Sequence, residues 1–129
     1  MAALSDYAEN LILNWLMKGT GSAPSGTHVA LYSAAPSDSG GGTELSGNGY
    51  ARQSATWDTA SGSGGTTSNS AAISFTASGG DWGSVTHVGI MDAATGGNLL
   101  WHGALSSSKT VSDGDTVQFA IGAIDLTIA

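Results

Sequence analysis

The sequence predicts a mainly β fold: an antiparallel β-sandwich or barrel of about seven or eight short strands with one N-terminal α-helix. Three observations carry that expectation. Short runs of apolar residues alternating with polar ones recur from Thr27 to the end of the chain. Turn-forming stretches rich in Gly, Ser, Thr and Asn separate them, and 20 glycines in 129 residues supply many such turns. One segment near the N-terminus follows the helical period instead. The length fits a single domain over residues 1–129, with the helix at 4–18 and the β-sandwich at 27–129.

The helix is justified by its ends and its stripe. Ser5 or Asp6 serves as N-cap, and Asp6 with Glu9 places negative charge in the first turn. Leu4, Ala8, Leu11, Ile12, Trp15 and Leu16 fall on one face. Lys18 sits in the last turn and Gly19 fits the position just past the end. The stripe is expected to pack on the protein's own sheet. The alternative is a neighbouring subunit, with Trp15 and Met17 as interface residues.

The strands follow in order. Thr27 to Tyr32 sets Val29 and Leu31 on one face and His28, Ala30 and Tyr32 on the other. Ala34 to Gly49 is a long polar loop, and Tyr50 to Trp57 is a second strand with Arg52 inside it. Asp58 to Ser70 reads as a flexible Gly/Ser/Thr loop. Ala71 to Phe75 is a short strand. Val85 to Met91 and Asn98 to Gly103 form a hairpin around the turn residues Ala93 to Gly97, with Trp82 and Trp101 near its outer ends. Thr110-Val111 is extended, Asp113-Gly114 marks a turn, and Asp115 to Ala120 alternates again. Ile124, Leu126 and Ile128 share the face of a last strand.

Composition excludes several functions. Without cysteine there is no disulfide, thiolate metal site or Cys nucleophile. Charged residues make up 10% of the chain, against about 25% in typical domains. The formal net charge is −7, and Lys18, Arg52 and Lys109 are the only cations besides histidine. Three scattered cations cannot neutralise a run of phosphates, which argues against nucleic acid and against anionic membrane surfaces. The longest apolar run, Leu11-Ile12-Leu13, is far too short to span a bilayer. The N-terminus lacks the pattern of a signal peptide, so synthesis in the cytoplasm is expected.

No constellation carries convincing chemistry. His28, His87 and His102 have no metal-ligand spacing. Asp113-Gly114-Asp115 lacks the remaining ligands of a calcium loop and reads as a turn. Ser106 to Lys109 contains S-x-x-K without the partner motifs of acyl-transfer enzymes. Asp58, Asp81 and Asp92 sit at strand ends, where Asp closes turns. No catalytic residue, cofactor or metal is expected, and the chain is read as a non-enzyme. Trp57, Trp82 and Trp101 cap the sandwich core or, alternatively, form the platform of a carbohydrate-binding module.

The strings Gly42 to Gln53, Asp81 to Gly103, Lys109 to Val117 and Leu4 to Asn10 together resemble a family of small virion structural proteins of tailed bacteriophages. These are described as tail-fibre-like or capsid-associated. The resemblance covers nearly the whole chain and brings no active site. It implies a particle component made in the host cytoplasm and located on the virion. Its partners would be major capsid or tail proteins and further copies of itself, a trimer among the forms that closed symmetry favours. The first reading is a capsid decoration (cement) protein, and the alternative is a tail or tail-fibre component contacting the host surface. Trp15, Met17, Glu44, Tyr50, Arg52, Trp82 and Trp101 are the interface candidates, with Arg52 expected to pair with an acid of its own fold.

Overall fold

The computed structural model describes residues 2–62 and 65–128. It is mainly β, with β1 (Ala2–Leu4), helix α1 (Asp6–Leu13) continued by a π-helical turn (Asn14–Lys18), then β2 (Thr27–Ala34), β3 (Thr43–Glu44), β4 (Gln53–Ala55) and β5 (Thr66–Ser68). The chain continues through β6 (Ile73–Thr76), β7 (Gly83–Met91), β8 (Leu99–Val111), β9 (Thr116–Phe119) and β10 (Asp125–Thr127). Every pairing is antiparallel. The main sheet runs β1-β8-β7-β2, and β3 and β4 share the far edge of β2 at its two ends. Two small sheets, β5–β10 and β6–β9, cover one face of it, and no barrel closes among the described residues.

The alternation read in the sequence places the core. Val29 and Leu31 face the small sheets, where they meet Ile73, Phe75, Ile124 and Leu126. Ala30 and Tyr32 face the other way and pack with Met91 and Leu99. Two register shifts reconcile the hairpin with this scheme. Thr86 on β7 stands opposite the four residues from Leu105 to Ser108, between the pairs Val85–Lys109 and His87–Ala104. The shift reverses the pleat, so Val85 and Ile90 both point into the core despite an odd spacing. Leu100 is the extra residue of the second shift, which turns Leu99 to the outer cluster beside Met91. Gly89 lies beneath Tyr32 there, and a Cβ would come within 2.8 Å of the Tyr32 ring.

Three readings are corrected by this architecture. Strand β8 continues to Val111, because a wide bulge carries Ser106 to Lys109 through as part of the strand, where a loop was expected. Strands β1, β3 and β5 lie in segments read as helix start or loop; each is only two or three residues long and borrows its regularity from a longer partner. The second strand is confined to Gln53–Ala55, so Arg52 precedes it. The segment from Asp58, read as a flexible Gly/Ser/Thr loop, contains β5 at Thr66–Ser68, and its Ser63 and Gly64 lie outside the described residues.

The two small sheets are joined by Asn69, which is fully buried. Its side-chain amide donates to the carbonyls of Ala71 at 3.0 Å and Ala120 at 2.9 Å, and its Oδ1 accepts from Ile124 N–H at 2.9 Å. Asn69→Ala leaves the buried Ile124 N–H and two part-buried carbonyls without partners. Each such group costs roughly 1–3 kcal/mol, so the variant is expected to lose more than about 2 kcal/mol of unfolding free energy in urea titration. Loss of only a few tenths would show that water replaces the amide.

Helix α1 starts from a fixed point. Ser5 is buried, its Oγ accepts from Ala8 N–H at 3.1 Å and donates to the Leu99 carbonyl, and its N–H donates to Leu100 O at 2.9 Å. Asp6 N–H donates to Asp38 O at 2.8 Å. The α-helix ends at Leu13 rather than Lys18. The wider turn that follows lets Gly19, at φ 66°, donate to the carbonyls of both Asn14 and Trp15. Packing of the stripe on the protein's own sheet holds only at its start. Ala8 is buried and Leu11 and Ile12 are half-buried, but Trp15 and Leu16 stand in solvent.

Candidate functional site

The exposed end of the helix is the most unusual surface of the protein. Leu13, Trp15, Leu16 and Met17 are 59%, 60%, 63% and 78% exposed. From Leu11 to Met17 only Asn14 is polar, so the segment is apolar on nearly every side. Such a helix is normally buried all round. The Gly/Ser-rich stretch from Gly19 to Gly26 then leads the chain back to β2, with little side-chain bulk to cover it. Trp15 and Met17, two of the interface candidates, are therefore available to another molecule.

Glu44, Tyr50 and Arg52 are engaged within the chain. Arg52 holds Glu44 through two parallel bonds, Nε to Oε2 and Nη2 to Oε1, each 2.8 Å. Its Nη1 donates to the carbonyls of Ala93 at 2.9 Å and Gly96 at 2.7 Å, tying the β7–β8 turn to β3. Tyr50 donates its hydroxyl to Glu44 Oε2 at 2.7 Å and accepts from Leu31 N–H at 3.0 Å. The pairing of Arg52 with an acid of its own fold is thus realised, with Glu44 as the acid. The planar fork of Arg reaches four acceptors from one side chain, which Lys cannot.

Burial pushes the Glu44 carboxyl up, but hydrogen bonds from Arg52 and Tyr50 and the Arg52 charge outweigh it and hold the group below the ordinary range. Burial, and then the bond to Glu44, push the Tyr50 hydroxyl well above its usual value. A carboxyl depressed on folding stabilises the protein above its unfolded pKa, about 4.3 for Glu. That contribution is lost as pH falls through the folded value. Urea midpoints are therefore expected to drop below about pH 4, and to drop less steeply in Glu44→Gln. Parallel pH profiles for the two proteins would assign the acid sensitivity elsewhere.

Trp57, which follows β4, and Trp82 and Trp101 of the hairpin pack half-buried on the core. Trp57 Nε1 donates to Thr27 Oγ1 at 2.8 Å, and Trp82 Nε1 donates to Asn48 O at 2.9 Å. Trp82 also meets Tyr50 edge to face at 5.6 Å between centroids, and Trp101 packs half-buried on the same core. These rings cap the sandwich and do not converge on a shared platform. Asp92 closes its turn by accepting from Asn98 N–H at 2.7 Å, whereas Asp81 ties the start of β7 to the β8–β9 turn by accepting from Asp113 N–H at 2.8 Å. Asp58 stays apart from both, at the bridge between the β4 and β5 regions.

The histidines are dispersed. His87 Nδ1 shares a 2.8 Å bond with Thr86, His102 Nε2 lies 2.7 Å from Asp38, and His28 pairs in register with Met91. No group of three or more metal-ligating side chains occurs among the described residues. No helix among them is long and apolar enough to cross a membrane.

Two of the surface concavities adjoin the helix start and the core wall. A polar cleft of about 480 Å³ lies beside the helix start, between Asp6, Tyr7, Tyr32 and Asp38. A more apolar groove of about 580 Å³ opens between β8 and the pair β9 and β10. Leu105, Val117, Phe119 and Val88 line it, and all four belong to the core yet are only partly covered. Strand β1 pairs with β8 only as far as Gly103, and among the described residues no strand covers that edge of β8 beyond it. The bulge from Leu105 to Ser108 forms one lip of the groove, with Lys109 at one end and Asp125 on the other wall. Its walls come from the three consecutive strands β8, β9 and β10, with Val88 of β7 at the base.

Among known protein families, residues 3–127 match the family described as podophage GP4 fiber I protein gp80. No curated protein matches the chain. The match spans all but the two outermost residues at each end, the same extent as the resemblance read from the sequence. The chain belongs to the podophage GP4 fiber I protein gp80 family and is a structural protein of the phage virion.

Proposed function

We propose that this chain is a non-enzymatic subunit of a phage fibre, built into the particle through its N-terminal helix and assembled with further copies of itself. The observation that carries the reading is the apolar helix end, with Trp15 and Met17 in solvent on an almost wholly apolar segment. A surface of that kind in a virion protein is best understood as a contact withheld until assembly. The fibre description of the family favours this role over capsid decoration, for which no separate feature of the fold speaks. The reading assigns the Glu44–Tyr50–Arg52 network to rigidity of the module and the helix to attachment.

The test compares purified particles carrying the wild-type chain with particles made with Trp15→Ser/Met17→Ser. Both side chains are largely in water, so the isolated variant is expected to keep wild-type circular dichroism and urea midpoint. It is expected to be depleted at least tenfold from the particles by quantitative mass spectrometry. Incorporation at the wild-type level would overturn the assembly role of the helix.

A further inference from the structure

The helix end and the open groove are two unpartnered apolar surfaces on one chain, and we infer that each is the other's partner between copies: the helix end of one copy seats in the β8–β9–β10 groove of the next. The inference rests on the reading of the helix as an assembly element and adds what it binds.

Size is the first argument. A cavity of about 150 Å³ takes a benzene ring, so a groove of about 580 Å³ admits a large side chain such as the Trp15 indole. Leu13, Trp15, Leu16 and Met17 are each more than half exposed, so their apolar surface is free to enter an interface, which draws roughly 800 Å² from each partner when stable. Chemistry is the second. The groove wall is core that lacks a cover, since Val88, Leu105, Val117 and Phe119 are half-buried on the same side. A helix–helix contact would leave that opening wet. Charge is the third. Lys18 closes the helix end and Asp125 stands in the groove wall, with one oxygen bonded to Ser68 at 2.6 Å and the other without a partner among the described residues. Lys109, which forms no ion pair among those residues, meets a neighbour of net charge −7.

The same helix cannot fill its own groove. Its start is fixed beside Tyr32, Met91 and Leu99 on the outer face of the main sheet, whereas the groove opens on the core side. The contact must therefore run from one copy to the next. It is heterologous, joining two different surfaces, and so generates a closed ring or an extended array rather than an isolated two-fold pair.

Sedimentation velocity on two variants tests this. Trp15→Ser/Met17→Ser removes the helix contact and keeps the groove. Ser107→Trp blocks the groove at an exposed lip residue and keeps the helix, and Leu105→Glu serves as a second blocking variant. The wild type is expected to sediment as an oligomer and each variant alone as a monomer with wild-type circular dichroism. An equimolar mixture of a helix variant and a groove variant is expected to double in mass, because one intact helix and one intact groove remain. A monomeric wild type, an oligomer that survives both groove variants, or a mixture that stays monomeric would each overturn the inference. Because no virion is needed, a failure here is separable from a failure of particle incorporation.

Discussion

Phe75→Ala is expected to lower the unfolding free energy by about 4 kcal/mol, within the range for buried Phe truncations. Phe75 is 1% exposed at the centre of β6. Its ring stacks on Tyr50 at 6.3 Å with the planes 6° apart, and meets Phe119 edge to face at 6.3 Å. Removing it deletes contacts on both sides of a strand that belongs to a two-stranded sheet. Such a sheet has little stability of its own, so the site cannot collapse without shifting β9. Urea denaturation measures the effect directly. A loss below about 1 kcal/mol would mean that the small sheets repack freely and that the core is not organised around this ring.

Arg52→Ala is expected to cost about 3 kcal/mol, at the lower end for breaking a buried pair. The side chain is 9% exposed and its partner Glu44 24%, so the pair is desolvated on the Arg side and wetter on the other. The substitution strands the Glu44 carboxylate and two turn carbonyls together. For a domain of this size, that loss corresponds to a fall of roughly 10 °C in thermal midpoint. Arg52→Lys is expected to recover only a minor part, since an ammonium cannot bridge Glu44 and the Ala93 and Gly96 carbonyls at once. Full rescue by Lys would show that charge alone, and not the fork, holds the turn.

How much of this was legible in the sequence differs from element to element. The alternation of β2 was plain, because Val29 and Leu31 repeat at the pleat period and both faces of the strand are buried by different clusters. The bulge at Thr86 was hidden: Val85 and Ile90 sit at an odd spacing that looks inconsistent until Leu105 to Ser108 are seen to slip past. Strands β3 and β5 are polar and too short to show a period. Arg52 stood out as one of three cations, but its acid could have been any of ten, and only folding brings Glu44 beside it. Asn69 gave no signal, since an Asn among Ser and Thr reads as loop, and its role depends on carbonyls up to 51 residues away. The helix end is the opposite case. Leu11 to Met17 is too apolar for a solvent-facing helix, yet Leu13, Trp15, Leu16 and Met17 stand in solvent and not on the protein's own sheet, where the stripe was expected to pack.

The central claim is a place on the fibre, and imaging labelled virions tests it most directly. A small tag placed at the exposed Ser46–Gly47 turn, which lines neither the cleft at the helix start nor the groove, is expected to mark a few copies along the fibres at the tail end of intact particles. Label distributed in many copies over the head would contradict the fibre account and support decoration instead.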